Sequence, residues 1–121
     1  MRSRILIVED DDDLREVYVM ALGEDHDIME FGSSQEAVNY YKEDPNFDLI
    51  ITDQDMPGLT GSELVKEIKK INKKQKIALI TGYGFMVKFP PNYRISVFPK
   101  PANIKQVVDA SLLSLGKTAL D

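Results

Sequence analysis

Five side chains carry the chemistry that this sequence offers: Glu9, Asp10, Asp53, Thr81 and Lys100. Glu9-Asp10 follows the apolar run Ile5-Leu-Ile-Val8, and Asp53 follows Leu49-Ile-Ile51 by one residue. Thr81 ends the run Lys76–Ile80, and Lys100 follows Ile95–Phe98. Short apolar runs rich in β-branched residues read as buried strands, so each polar group stands at a strand end. In a doubly wound parallel sheet those ends share one edge, and the groups converge. Two or three carboxylates within a few ångströms repel one another unless a cation joins them. Mg²⁺ fits the oxygen donors, because it takes one or two carboxylates, keeps waters and accepts phosphate oxygens. A carboxylate so held beside a lysine and a hydroxyl is suited to receive a phosphoryl group. Asp53 would attack phosphorus, Mg²⁺ and Lys100 would neutralise the equatorial oxygens, and Thr81 would donate a hydrogen bond to one of them.

The elements that must position these groups follow in order. Arg4–Val8 is a first strand, continuous in apolar character as in a strand buried on both faces. Asp12 or Asp13 caps a helix carrying Leu14, Val17, Tyr18, Ala21 and Leu22, with Gly23 as its stop. His26–Phe31 is a weaker strand. Ser33-Ser-Gln-Glu36 has the form of a capping box and opens a helix ended by Asp44-Pro45. After the central strand, Met56-Pro57-Gly58 turns the chain, and Thr60-Gly-Ser-Glu63 is a second capping box. Leu64, Val65, Ile68 and Ile71 then recur at helical spacing. Asn103 caps a last helix with Ile104, Val107, Val108, Leu112 and Leu115, closed by Gly116. Strands alternating with helices imply right-handed crossovers and a parallel sheet covered on both faces. Residues 82–94, where a fourth helix belongs, contain Gly82, Gly84 and Pro90-Pro91, so at most a turn or two over Tyr83–Lys88 is expected to be helical.

With 121 residues, 43% of them hydrophobic, the chain suits one domain with a real core. No apolar run approaches the ~20 residues of a membrane span, and the N-terminus lacks the form of a signal peptide. There is no cysteine, and a cytoplasmic location is expected. The net charge of −5 has one source: removing Glu9–Asp13 from the 20 acids leaves 15, the number of lysines and arginines. Such a balance lacks the basic footprint of a nucleic-acid binder. Asp11, Asp12 and Asp13 read as a solvated helix start rather than metal ligands. Lys66, Lys69, Lys70, Lys73, Lys74 and Lys76 are interleaved with Glu63 and Glu67 and read as a solvated helix end. His26 has no partner motif and is expected at the surface. Phe85, Met86, Val87 and Phe89 are expected to pack on the sheet where the fourth helix is short or missing, with an exposed partner-binding patch as the alternative.

The sequence closely resembles the receiver domain of two-component response regulators, the CheY-like family. The resemblance covers nearly the whole chain, 1–121, as a single receiver domain. It rests on four motifs in register: Ile5-Leu-Ile-Val-Glu9-Asp10-Asp11; Asp48-Leu-Ile-Ile-Thr-Asp53 followed by Met56-Pro57 and Gly61; Leu79-Ile-Thr81-Gly82; and Phe98-Pro-Lys100-Pro101. It implies a five-stranded, flavodoxin-like doubly wound sheet. It also implies that Asp53 is the phosphoacceptor, with a histidine kinase or a histidine phosphotransfer protein as donor. Glu9, Asp10 and Asp53 would hold Mg²⁺, joined by the backbone carbonyl of Asp55. Lys100 would be the conserved-type lysine, Thr81 the switch hydroxyl, and Lys100-Pro101 a cis bond. Output would pass to a downstream protein or to an effector domain outside this chain, and no membrane or nucleic-acid contact by this domain is implied.

Three positions depart from the family pattern. Val97 stands where a Tyr or Phe usually reports phosphorylation by ring rotation, and the span from Thr81 to Lys100 is about three residues short. Gly82 stands where Ala is common. The rival readings have less behind them. A degenerate receiver binding partners without phosphorylation would not need the full set of acidic, hydroxyl and lysine groups. Asp53-Gln-Asp55 resembles the Asp-x-Asp of haloacid-dehalogenase-type phosphatases, but those place it after their first strand and need a longer chain. A flavin binder would need a hydroxyl-rich phosphate loop after strand one, where this chain has acids. The reading is therefore of a phosphoacceptor that modifies itself, not a multi-substrate enzyme.

Overall fold

A computed structural model of the chain describes residues 2–82 and 88–116. Its elements are β1 (Arg4–Val8), α1 (Asp12–Leu22), β2 (Asp27–Phe31), α2 (Ser34–Glu43) and β3 (Leu49–Asp53). They continue as α3 (Gly61–Ile71), β4 (Ile77–Thr81), a 3₁₀ turn (Pro91–Tyr93), β5 (Ile95–Pro99) and α4 (Ile104–Gly116). The five strands form one parallel sheet in the order β2-β1-β3-β4-β5. This is the doubly wound arrangement expected from the alternation of strands and helices, and its order reverses between β1 and β3.

The alternation of strand side chains divides the core into two layers. Leu6, Val8, Ile50 and Ile77 face α2 and α3, where they meet Ala37, Val38, Tyr41, Leu64, Val65 and Ile68. Ile5, Ile7, Leu49, Ile51, Ala78 and Ile80 face the other way, toward Tyr18 and Leu22 of α1 and Ile104, Val107 and Val108 of α4. Both layers are closed to water, and each large side chain so buried contributes about 2 kcal/mol of hydrophobic transfer energy. A sheet anchored on both faces holds its strand ends rigidly, which is what a site at those ends requires.

The register carries the polar groups to a common edge. Val8 pairs with Thr52, Asp53 with Ile80, and Thr81 with Pro99. Glu9, Asp53, Thr81 and Lys100 therefore finish four adjacent strands at nearly one level.

Local details differ from expectation in three places. Asp11, not Asp12 or Asp13, caps α1: its backbone is extended, and its carboxylate accepts from the Asp13 and Leu14 amides at 3.0 and 3.1 Å. His26 is half-buried rather than at the surface, and its Nδ1 accepts from the Ser3 amide at 3.2 Å. The lysine-rich end of α3 is not wholly solvated, since Lys69 and Lys76 are both buried. The Lys69 ammonium donates to the carbonyls of Lys73 (3.2 Å) and Gln75, so its charge closes the turn after the helix. Of residues 82–94, Tyr83–Val87 lie outside the described residues, and with them Phe85, Met86 and Val87. Phe89 stacks on Tyr93 across 6.4 Å and packs against the α2–α3 layer.

Other expectations hold in detail. Thr60 and Glu63 make both hydrogen bonds of the capping box at the start of α3. Ser33 caps α2 by accepting from the Glu36 amide, Asn103 caps α4 through the Gln106 amide, and Lys100-Pro101 is cis.

Candidate functional site

Asp53 is the last residue of the central strand and is 5% exposed. Its carboxylate is bridged by the Lys100 ammonium, which lies 2.9 Å from Oδ1 and 3.0 Å from Oδ2. Lys100 reaches it from the far side of β4, held by a backbone hydrogen bond from its own amide to the Thr81 carbonyl at 3.1 Å. Burial pushes the Lys100 ammonium down, but the hydrogen bond and charge of Asp53 outweigh it, and the lysine is held above its ordinary range. Thr81 is fully buried at the end of β4, between the strands that present Asp53 and Lys100.

Glu9, Asp10 and Asp53 bring one carboxylate oxygen each to within 4.8 Å of one another. Glu9 is 3% exposed, and Asp10 is exposed. Burial pushes the Glu9 carboxyl up to about 7, opposed by a hydrogen bond from the Asp11 amide and reinforced by the charge on Asp53. Three oxygen donors of this type, at this spacing, fit a hard divalent cation such as Mg²⁺. Asp55 lies outside that group of three. Its amide approaches Asp53 Oδ1 at 3.4 Å, which places its backbone in the turn directly beside the Asp53 carboxylate. Asp11, Asp12 and Asp13 are exposed and take no part in the cluster.

Several residues that hold the site were not singled out in the sequence. Arg15 donates to the Glu9 carbonyl at 2.8 Å while pairing with Asp12 at 2.7 Å and Glu30 at 3.2 Å, so it clamps the β1–α1 turn from below. Gln54, next to Asp53, accepts from both the amide and the hydroxyl of Ser62 at 2.7 and 2.8 Å. The Gly61 amide donates to the Gln54 carbonyl at 3.0 Å. A Cβ on Gly61 would stand 2.6 Å from Leu79 Cδ1 and 2.8 Å from Gln54 Cα, so only glycine lets α3 start this close to β3. Ser34 ties the other end of the loop by donating to the Leu59 carbonyl at 2.8 Å. The only sequence signal for this latch is Gly61 itself, between a cap residue and a helix, because the reach of Arg15 and Gln54 depends on the folded turns.

Comparison with known proteins bears on the same site. A profile of the response regulator receiver domain matches residues 5–109. The chain is similar to the response regulator receiver protein CpdR of Brucella abortus (strain 2308), with 32% identity over 111 residues, 88% of this chain and 92% of that protein. It is also similar to the sensor kinase CckA of the same organism, with 30% identity over 110 residues, 87% of this chain but 12% of that longer protein. Among solved structures it resembles the response regulator protein TrrA from Thermotoga maritima in complex with Mg²⁺-BeF. The two are 32% identical, with a TM-score of 0.77, over 93% of this chain and 100% of the other.

Proposed function

The chain belongs to the response regulator receiver domain family, and from that premise we propose that it accepts a phosphoryl group on Asp53 and relays a two-component signal. The observation that carries this reading is the Lys100 ammonium bridging both oxygens of a buried Asp53 beside two further carboxylates. A buried carboxylate whose only described counter-charge is a lysine is both a nucleophile and a place where new negative charge is tolerated.

Glu9, Asp10 and Asp53, with the Asp55 carbonyl, would hold Mg²⁺, which when bound supplies positive charge to the phosphoryl oxygens. The chain's own groups do the rest. One Asp53 oxygen attacks phosphorus and forms the O–P bond, while the P–N bond of a donor phosphohistidine breaks and its electron pair stays on the imidazole. Asp53 gives up its own negative charge to the acyl phosphate, so the charge moves outward onto the phosphoryl oxygens. Lys100, already centred on both carboxylate oxygens, follows that charge with little reorganisation. Thr81, at the adjacent strand end, donates its hydroxyl to a phosphoryl oxygen. Hydrolysis of the acyl phosphate at the same place returns the chain to its resting state, so it modifies itself rather than turning over several substrates.

The donor in this reading is a histidine kinase or a histidine phosphotransfer protein, which the similarity to part of a sensor kinase supports. The receiving side is a downstream protein or an effector domain. Among the described residues no helix is long and apolar enough to cross a membrane, and the proposed location is the cytoplasm. Intact-mass measurement after incubation with Mg²⁺ and a small phosphodonor tests the reading. One phosphoryl adduct is expected on the wild-type chain and none on Asp53→Asn; an unmodified wild type would leave only a binding module.

A further inference from the structure

At the opposite edge of the sheet from Asp53, the end of α3 and the 3₁₀ turn before β5 border a half-open cavity of about 530 Å³. It is lined by Lys66, Lys69, Lys70, Lys73, Asn92 and Tyr93. Four lysines lining one concavity is a strong bias in a chain whose net charge is −5, with the Lys69 ammonium held by the Lys73 and Gln75 carbonyls and the other three exposed. Of the four, only Lys70 has a carboxylate partner among the described residues, Glu67 at 3.1 Å. Lys66 and Lys73 are exposed at the rim, while Lys69 is buried, its ammonium 5.9 Å from the centre of the Tyr93 ring. Like charges crowd this place: burial first, then Arg94 and Lys76, push the Lys69 ammonium down to about 8. Arg94 itself holds a left-handed backbone (φ 58°), an uncommon conformation for a side-chain-bearing residue, with its carbonyl accepting from the Ile77 amide at 3.3 Å.

We propose that this cavity is a binding site for a nucleotide, with Lys66, Lys70 and Lys73 on its phosphates and Tyr93 against its base. Three features select that class. The volume lies within the range of small-molecule sites, where a handful of charged groups orient a ligand of this size. Lys66, Lys69 and Lys70 share one face of α3 and Lys73 follows the helix end, so the charge is confined to about two turns, a length that suits a compact polyanion. An aromatic wall stands beside the cations, and Tyr93 is fixed there by its stack on Phe89. A ligand with a flat ring and a phosphate tail meets both requirements at once. The site is independent of phosphoryl transfer, since it lies at the far edge from Asp53.

The test uses the full chain carrying Asp53→Asn, in EDTA, so that the acidic cluster cannot hold a metal–nucleotide complex. ATP and inorganic tripolyphosphate are titrated separately while amide resonances are followed. Saturable shifts confined to Lys66–Lys73 and Asn92–Arg94 are expected with both. Replacing the two rim lysines together (Lys66→Ala, Lys73→Ala) should weaken both ligands by about tenfold. Tyr93→Leu should weaken ATP while leaving tripolyphosphate unchanged, a split that general unfolding would not give. Non-saturating shifts scattered over all lysines would overturn the proposal, as would ATP affinity that survives the double substitution. Tighter, lysine-dependent binding of a polyglutamate peptide than of ATP would overturn it too, in favour of an acidic polypeptide.

Discussion

The Lys100 ammonium stands midway between the two oxygens of Asp53, 2.9 Å from one and 3.0 Å from the other. Neither oxygen is thereby singled out, and the cation is placed where the net charge of the carboxylate is centred. Because Asp53 is buried and Glu9 and Asp10 crowd it, this contact is the principal compensation the described residues offer.

Lys100→Ala should therefore slow phosphorylation of Asp53 sharply. A positioned donor to developing charge is worth about a hundredfold in rate. The measurement is the rate of adduct formation with a small phosphodonor in Mg²⁺, by intact mass. Retention of more than a third or so of the wild-type rate would show that the lysine neutralises the resting carboxylate only.

Glu9 gives a pH dependence of definite sign. Its carboxyl is raised from 4.5 to about 7 in the folded chain, first by burial. Between those two values the folded chain binds more protons than the unfolded one, so stability falls as pH rises through that window. The loss is at most about 3 kcal/mol, from the size of the shift. Urea unfolding in EDTA at pH 5 and pH 8 should show it, and Glu9→Gln should flatten the difference. Mg²⁺ should raise stability more at pH 8 than at pH 5, because cation and proton compete for the same carboxylates. A Glu9→Gln chain with the wild-type pH profile would assign the effect to other groups.

Much of this site was legible from the sequence because its information is local. Each of Glu9, Asp53, Thr81 and Lys100 is adjacent to a short apolar run, and strand ends of a parallel sheet converge by topology alone. What escaped is what depends on three-dimensional reach. Lys69 sits among solvated lysines in the sequence, yet its stem runs inward and its ammonium meets two carbonyls after α3, because the chain turns back at Asn72–Gln75. His26 looked unattached until β1 brought the Ser3 amide to its ring. The cap of α1 moved from Asp12 or Asp13 to Asp11 because five consecutive acids leave the choice to backbone dihedrals, and Asp11 is the extended one.

Gly61 supports Asp53 at a distance. Gly61→Ala would press a methyl group against Leu79 and Gln54, displacing the start of α3 from the turn that carries Asp53. Overpacking of this kind costs about 2 kcal/mol, which for a chain of this length lowers the melting temperature by about 10 °C. The phosphorylation rate should fall as well, because Gln54 and its bonds to Ser62 move with the turn. An unchanged melting temperature would mean that α3 shifts without resistance.

A backbone hydrogen bond from the Lys100 amide to the Thr81 carbonyl at 3.1 Å ties the two groups that the proposed function sets around the phosphoryl oxygens. If Lys100 follows charge onto the phosphoryl group and Thr81 donates to it, both ends of that bond are pulled toward Asp53 together. The strain then falls on the β4–β5 pairing, where Val97 lies opposite Leu79. Val97 is half-buried and has no ring to rotate, so under the proposed function the expected route is strand displacement rather than an aromatic side chain. Hydrogen exchange with and without Mg²⁺ and beryllofluoride should accordingly change protection at the amides of Gly82, Val97 and Lys100, with β1 and β2 unaffected. Val97→Ala should leave that change in place. Its disappearance in Val97→Ala would instead make the valine side chain the carrier, and constant protection at all three amides in the wild type would sink the coupling altogether.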